Sequence, residues 1–193
     1  MEETKKNEST RVIRNYKDTM FRMIFNDKKE LLGLYNAINN TSYRNPDELE
    51  ITTLENAVYM SMKNDISFVL DMRLQLYEQR STVNPNMPLR DLFYISKLYE
   101  KETIDKDIYS RKPIKLPTPK FIVFYNGVEE QPERCEINLP EAFEIQEEEP
   151  SLELKVTQLN INDGYNEDVK KKCPTLLQYM QYTESVTLLV KER

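Results

Sequence analysis

Between residues 65 and 80 the chain carries three side chains whose types and spacing could do phosphoryl chemistry: Asp65, Glu78 and Arg80. In an extended segment, Glu78 and Arg80 point to the same face because they lie two residues apart. The stretches "NDISFVL" and "RLQLYEQR" read as the arms of a hairpin with Asp71-Met72 as its loop. Leu70 then pairs with Arg73, and the same register sets Asp65 opposite Glu78. Asp-Met is a mediocre hairpin turn. Two opposed carboxylates repel each other unless a cation sits between them. A hard divalent ion such as Mg²⁺ held there would polarise a phosphodiester and lower the pKa of an attacking water. A cation beside Glu78 would stabilise the charge that builds on the phosphate. The plainer alternative is a strand end whose Glu and Arg pair at the surface, worth about 0–1 kcal/mol.

Absent residue types narrow the chemistry. The chain has no histidine, which excludes Ser-His-Asp and Cys-His catalysis and histidine-ligated zinc. Its glycines, Gly33, Gly127 and Gly164, build no phosphate-cradling loop. Catalysis would therefore run on carboxylates, Lys or Arg, Tyr, or a bound hard metal. A net charge of -6 argues against a coat of bound nucleic acid, though not against a local basic groove.

The elements that must position these residues follow from length and patterning. A chain of 193 residues suits one domain with a real core. No apolar run approaches the roughly 18 residues of a membrane span, and the start lacks the apolar segment of a secretory signal. Cys135 and Cys173 lie far apart without metal-type spacing, and a reduced cytoplasmic setting is the simplest reading. Residues 1–14 read as a polar N-terminal arm, and 15–193 as the domain. From Tyr16, the stripe Met20, Phe21, Ile24 and Phe25 predicts a helix. Asp27 and Glu30 then fit a capping arrangement for a second helix over "KKELLGLYNAI". Residues 57–80 read as extended. Asn84 or Asn86 caps a helix opened by Pro88, with Met87, Phe93 or Leu92, Ile95 and Tyr99 toward the core. "FIVFYNG" reads as a buried strand ended by an Asn-Gly turn, "LELKVTQLN" as another strand, and Pro174 opens a last helix. "EIQEEEP" is a solvated acidic loop, and "KKKC" (170–173) a solvated helix face. The sum is an α/β core.

The stretch "NDISFVLDMRLQLYEQRSTVNPNMPLRDLFYIS" resembles the core of the recombination-promoting nuclease family, also known as PD-(D/E)XK nuclease-type transposases. "NYKDTMFRMIF" is similar to that family's opening helix, "LPTPKFIVFYNG" to its later strand, and "LELKVTQLNINDGYN" to its closing segment. The likeness covers roughly residues 15 to 190 in the family's order. It implies a restriction-endonuclease-like core (αβββαβ) with a mixed sheet flanked by helices. It also implies metal-dependent DNA cleavage with Mg²⁺ or Mn²⁺ and a role in mobile-element or recombination biology.

Carried over by residue, Asp65 takes the place of the motif's aspartate and Glu78 that of its second acid. In an active form the Gln79 carbonyl would join Asp65 and Glu78 on the metal. Position 80, where the general motif has Lys and this family usually Gln, is Arg80, and the triplet Glu-His-Gln becomes Glu78-Gln79-Arg80. Arginine cannot serve as a base, because its pKa stays above about 12. Arg80 could contact the phosphate, or pair with Glu78 and oppose metal entry. Asp18 and Arg90 are accessory candidates, the first toward the metal, the second toward the phosphate or the acidic pair. Arg111, Lys112, Lys115 and Lys120 form a basic loop that could touch a DNA backbone. A homodimer would suit double-strand cutting. The competing expectation is a non-catalytic relative that binds DNA or itself.

Overall fold

The computed structural model describes residues 16–53 and 66–191. The first helix, α1, covers residues 16–25 and buries Phe21 and Phe25, with Met20 and Ile24 packed at the margin, as the stripe predicts. It stops at Asn26-Asp27, where the Asp27 side chain accepts from the backbone N–H of Lys29 (2.9 Å) and Glu30 (3.2 Å) and so caps α2, Lys28–Asn39. Glu30 does not complete a capping box; its carboxylate takes the Thr175 hydroxyl instead.

Six strands form one mixed sheet in the order β1-β2-β3-β4-β6-β5. They are β1 (Glu50–Ile51), β2 (Ile66–Leu70), β3 (Arg73–Arg80), β4 (Thr118–Tyr125), β5 (Arg134–Asn138) and β6 (Lys155–Asn160). β1 and β3 each run antiparallel to β2, β4 lies parallel to β3, β6 parallel to β4, and β5 antiparallel to β6. Between β3 and β4 the chain crosses through α3, Met87–Thr103, the kind of long connection that parallel neighbours require. α4 (Glu167–Lys172) and α5 (Pro174–Lys191) close the chain.

The hairpin forms as expected, with Leu70 opposite Arg73. Asp71 and Met72 both take positive φ, 49° and 56°, the pair of left-handed residues that a two-residue turn of matching twist needs. Strand alternation then sorts the side chains. Ile66, Phe68, Leu70 and Tyr77 join Ile122, Phe124 and Leu159 in a core shared with α1, α2, α4 and α5. Leu74, Leu76, Phe121, Val123 and Val156 face the other way, onto Met87, Tyr94, Ile95 and Leu98 of α3.

Several expectations are corrected. On α3 the expected Met87 and Ile95 are buried and Tyr99 packs at the margin, but Phe93 is 52% exposed, and Asp91, Tyr94 and Leu98 complete the buried stripe. β5 has no counterpart in the sequence reading, because "RCEIN" is short and mostly polar at the sheet edge. Within "KKKC" Lys171 and Lys172 are solvated, but Cys173 joins the core and Lys170 is buried: its ammonium pairs with Glu167 and donates to the Asn162 carbonyl at 3.0 Å. Lys120 belongs to β4 rather than to the basic loop. The Asn-Gly pair is not an exposed turn: Asn126 is buried, and a Cβ on Gly127 would stand 2.4 Å from the Ser81 carbonyl oxygen.

Candidate functional site

β3 carries Glu78 to the carboxyl end of the sheet's centre, between β2 and β4. Glu78 lies on the α3 face, two positions on from Leu76, and its side chain is only 6% exposed. Arg80, two residues further along the same face, turns its guanidinium back onto Glu78 Oε1 as an ion pair. Arg90, in the first turn of α3, brings a second guanidinium to the same oxygen, with Nη2 at 3.3 Å. A cation in the first turn of a helix opposes the helix dipole, a penalty of about 0.3–1 kcal/mol that Glu78 offsets here. Arg80 Nε meets no hydrogen-bond acceptor among the described residues. Glu78 thus meets two guanidiniums at one oxygen, with a second buried acid, Asp91, next to Arg90 on α3.

Gln79 points to the opposite face, where its amide donates to Ser81 Oγ at 3.3 Å. The Arg80 carbonyl accepts from Asn126 N–H at 2.8 Å, toward β4. Alternation along the strand therefore turns the Gln79 carbonyl to the β2 side. Asp65 lies outside the described residues. Asp18 sits on α1, on the other face of the sheet from Glu78, where its charge pushes up the pKa of Tyr179, a phenol already raised chiefly by burial. Arg111, Lys112 and Lys115 are exposed in the connector before β4.

A divalent cation would need Glu78 as a ligand, and both guanidiniums already occupy its Oε1. Among the described residues, no three Asp, Glu, His or Cys groups converge as metal ligands. A carboxylate whose oxygen is already held by two guanidiniums fits a hard cation poorly. It fits an anion well, because paired guanidiniums recognise phosphate oxygens with directed N–H donors.

The sequence reading passed over two groups at this end of the sheet. Asp91 is a buried acid beside Arg90 on α3. Its signal was positional, since it stands four residues after Met87 and three before Tyr94 in the buried stripe. Lys17 of α1 is buried, and its ammonium donates to the Asn126 carbonyl (3.1 Å) and side-chain Oδ1 (2.8 Å). Asn126 is also bonded to Thr183 of α5 at 3.0 Å, so one amide joins α1, β4 and α5 next to Arg80. No local pattern marks that junction; it is made by residues 109 positions apart.

Comparison with protein families, with curated proteins and with solved structures finds no match to this chain.

Proposed function

We propose that the chain is a restriction-endonuclease-like protein of the recombination-promoting nuclease type that engages the DNA phosphate backbone through Arg80 and Arg90. The observation that carries this reading is the pair of guanidiniums gathered on the single buried carboxylate of Glu78 at the carboxyl end of β3. The element order supports it as well: a helical start, three antiparallel strands, a crossing helix and a parallel strand make up αβββαβ. The carboxyl ends of parallel strands are where α/β sheets bind ligands.

In this reading the site grips the phosphate and hydrolysis is held back. A phosphate oxygen competes with Glu78 for the two guanidiniums, which orient the diester and neutralise it. Glu78 in turn fixes both arginines, and while it does so it is not available to a cation. A second reading, a working metal-dependent endonuclease, is favoured by the β2–β3 register, in which Ile66 pairs with Tyr77 and Asp65 is the residue next in line.

The test combines DNA-binding titrations at several salt concentrations with plasmid nicking in Mg²⁺ or Mn²⁺. The proteins are wild type, Asp65→Ala, Glu78→Ala, Arg80→Gln and Arg90→Gln. Wild type should bind duplex DNA, and each arginine variant should bind more weakly and reduce the salt slope by about 1. Wild type should nick weakly or not at all, and Arg80→Gln should nick faster. Binding indifferent to both arginines would overturn the proposal. Strong wild-type nicking that is lost in both alanine variants and not raised by Arg80→Gln would establish the second reading.

A further inference from the structure

At the opposite end of β3, on the opposite face, lies an open cleft of about 460 Å³ between α2 and the starts of β3 and β4. Gln75 forms part of its wall. It is five residues from Arg80, roughly 16 Å along the strand. Odd and even positions face apart, so the cleft shares no wall with the Glu78 cluster.

Three features define what the cleft can hold. Gln75 is 1% exposed, and its Oε1 meets no hydrogen-bond donor among the described residues. A buried acceptor of this kind is costly unless a donor reaches it. Lys120 stands directly across from Gln75 in the β3–β4 register, half-buried, with its ammonium donating to Asn39 Oδ1 at 2.8 Å. Burial holds that ammonium below the ordinary lysine range, and the nearby Arg134 charge adds to the shift. Arg73 lies two residues before Gln75 on the same face, about 7 Å away. Its 54% exposed guanidinium is shared with Asp71 at 2.9 Å. The mouth of the cleft is therefore cationic, and a rotation of the Gln75 side chain would bring a hydrogen-bond acceptor to its floor.

We propose that this cleft binds a nucleoside monophosphate with an amino-substituted base, its phosphate at Arg73 and Lys120 and its base amino group donating to Gln75 Oε1. The volume is in the range of small-molecule sites, about 300–1,000 Å³. A ligand with its anionic group at the mouth and an N–H donor at the far end meets both requirements at once. Phosphate alone would satisfy the cations and leave Gln75 unmet.

Calorimetric titration of the full chain with AMP, ribose 5-phosphate and inorganic phosphate tests this. AMP should bind about tenfold more tightly than ribose 5-phosphate, the worth of one hydrogen bond to a buried group. Gln75→Leu should remove that advantage and leave ribose 5-phosphate unchanged, whereas Lys120→Met should weaken both. Should Gln75→Leu fail to fold, acetylation of Lys120 in the wild-type protein replaces it as the readout. AMP should then protect Lys120 at concentrations where ribose 5-phosphate does not. No AMP binding at millimolar concentration overturns the proposal. So does equal binding of AMP, ribose 5-phosphate and phosphate, which would mark an adventitious anion site only.

Discussion

At the residue scale the chemistry turns on which partner Glu78 keeps. A carboxylate awaiting a metal is strained in the metal-free protein, and removing it relieves that strain. A carboxylate already holding two guanidiniums is a structural member, and removing it leaves two half-buried cations facing each other. The second case applies here, so Glu78→Ala should destabilise the metal-free protein by about 3–5 kcal/mol. Arg80→Gln leaves Arg90 in place and should cost less, about 1–3 kcal/mol. Urea unfolding in the presence of a chelator measures both. A Glu78→Ala protein as stable as wild type, or more so, would return Glu78 to the role of a metal ligand. Part of this cluster was legible in advance: an i, i+2 pair on a strand must share a face, and Arg80 was expected either at a phosphate or on Glu78. The arrival of Arg90 at the same oxygen depends on how α3 lies on the sheet, which residue spacing alone does not set.

At the element scale the β2–β3 hairpin fixes the register of its own two strands. Its turn places two non-glycine residues in the left-handed region, Asp71 at 49° and Met72 at 56°. Asp71 is repaid by its bonds to Arg73 (2.9 Å) and to the Tyr43 hydroxyl (3.0 Å). Met72 is 61% exposed and packs against little. Met72→Gly should therefore stabilise the protein by about 1 kcal/mol, because a left-handed L-residue costs roughly that much. The unfolding midpoint in urea should rise without a change in slope, and a fall would mean that Met72 makes contacts worth more than its strain. The register was readable because loop length and side-chain alternation leave few alternatives. The burial of α3 was read less well: Phe93 is apolar but turned outward, while Asp91 is polar but turned inward. Apolar periodicity follows average hydrophobicity, and a buried acid runs against it.

At the scale of the whole molecule, the helices α1, α2, α4 and α5 close one face of the sheet and α3 closes the other. The first of these cores is rich in rings. Phe21 lies against Phe25 and Phe124 at 4.7 and 5.1 Å between centroids, and Tyr77 bridges Phe124 and Phe68 at 5.5 and 5.1 Å. Burial makes phenols on both faces of the sheet hard to ionise. Tyr16 is pushed up to about 12, mainly by burial and then by its hydrogen bond with Tyr182. Burial raises Tyr77, Tyr99, Tyr125 and Tyr179 as well. In the unfolded chain these groups lose protons near pH 10. The folded state therefore holds more protons between pH 10 and 12, and its advantage, complete below pH 10, is lost as the pH climbs through that window. Lys120 acts in the opposite sense, since its lowered pKa favours folding as pH rises toward the ordinary lysine value. Tyr43, through its hydrogen bond to Asp71, and the thiols of Cys135 and Cys173, through burial, are raised too, so with a single lowered amine against them stability should fall above pH 10. Unfolding free energies at pH 9, 10 and 11 check this, and a flat profile would mean that the phenols are hydrated. No described helix is long and apolar enough to cross a membrane.

Taken by itself, the sequence determined the α/β alternation, the hairpin and its register, the Asp27 cap, the start of α5 at Pro174 and the shared face of Glu78 and Arg80. Each follows from interactions between residues close in the chain, where stereochemistry and short-range hydrogen bonds leave little choice. Tertiary structure alone decided that Arg90 joins Glu78, that Lys17 and Thr183 meet at Asn126, and that Lys120 and Gln75 share a cleft with α2. These groups are polar and distant in sequence, and polarity carries no periodic signal of its partner. Only the packing of helices on both faces of the sheet brings them within reach.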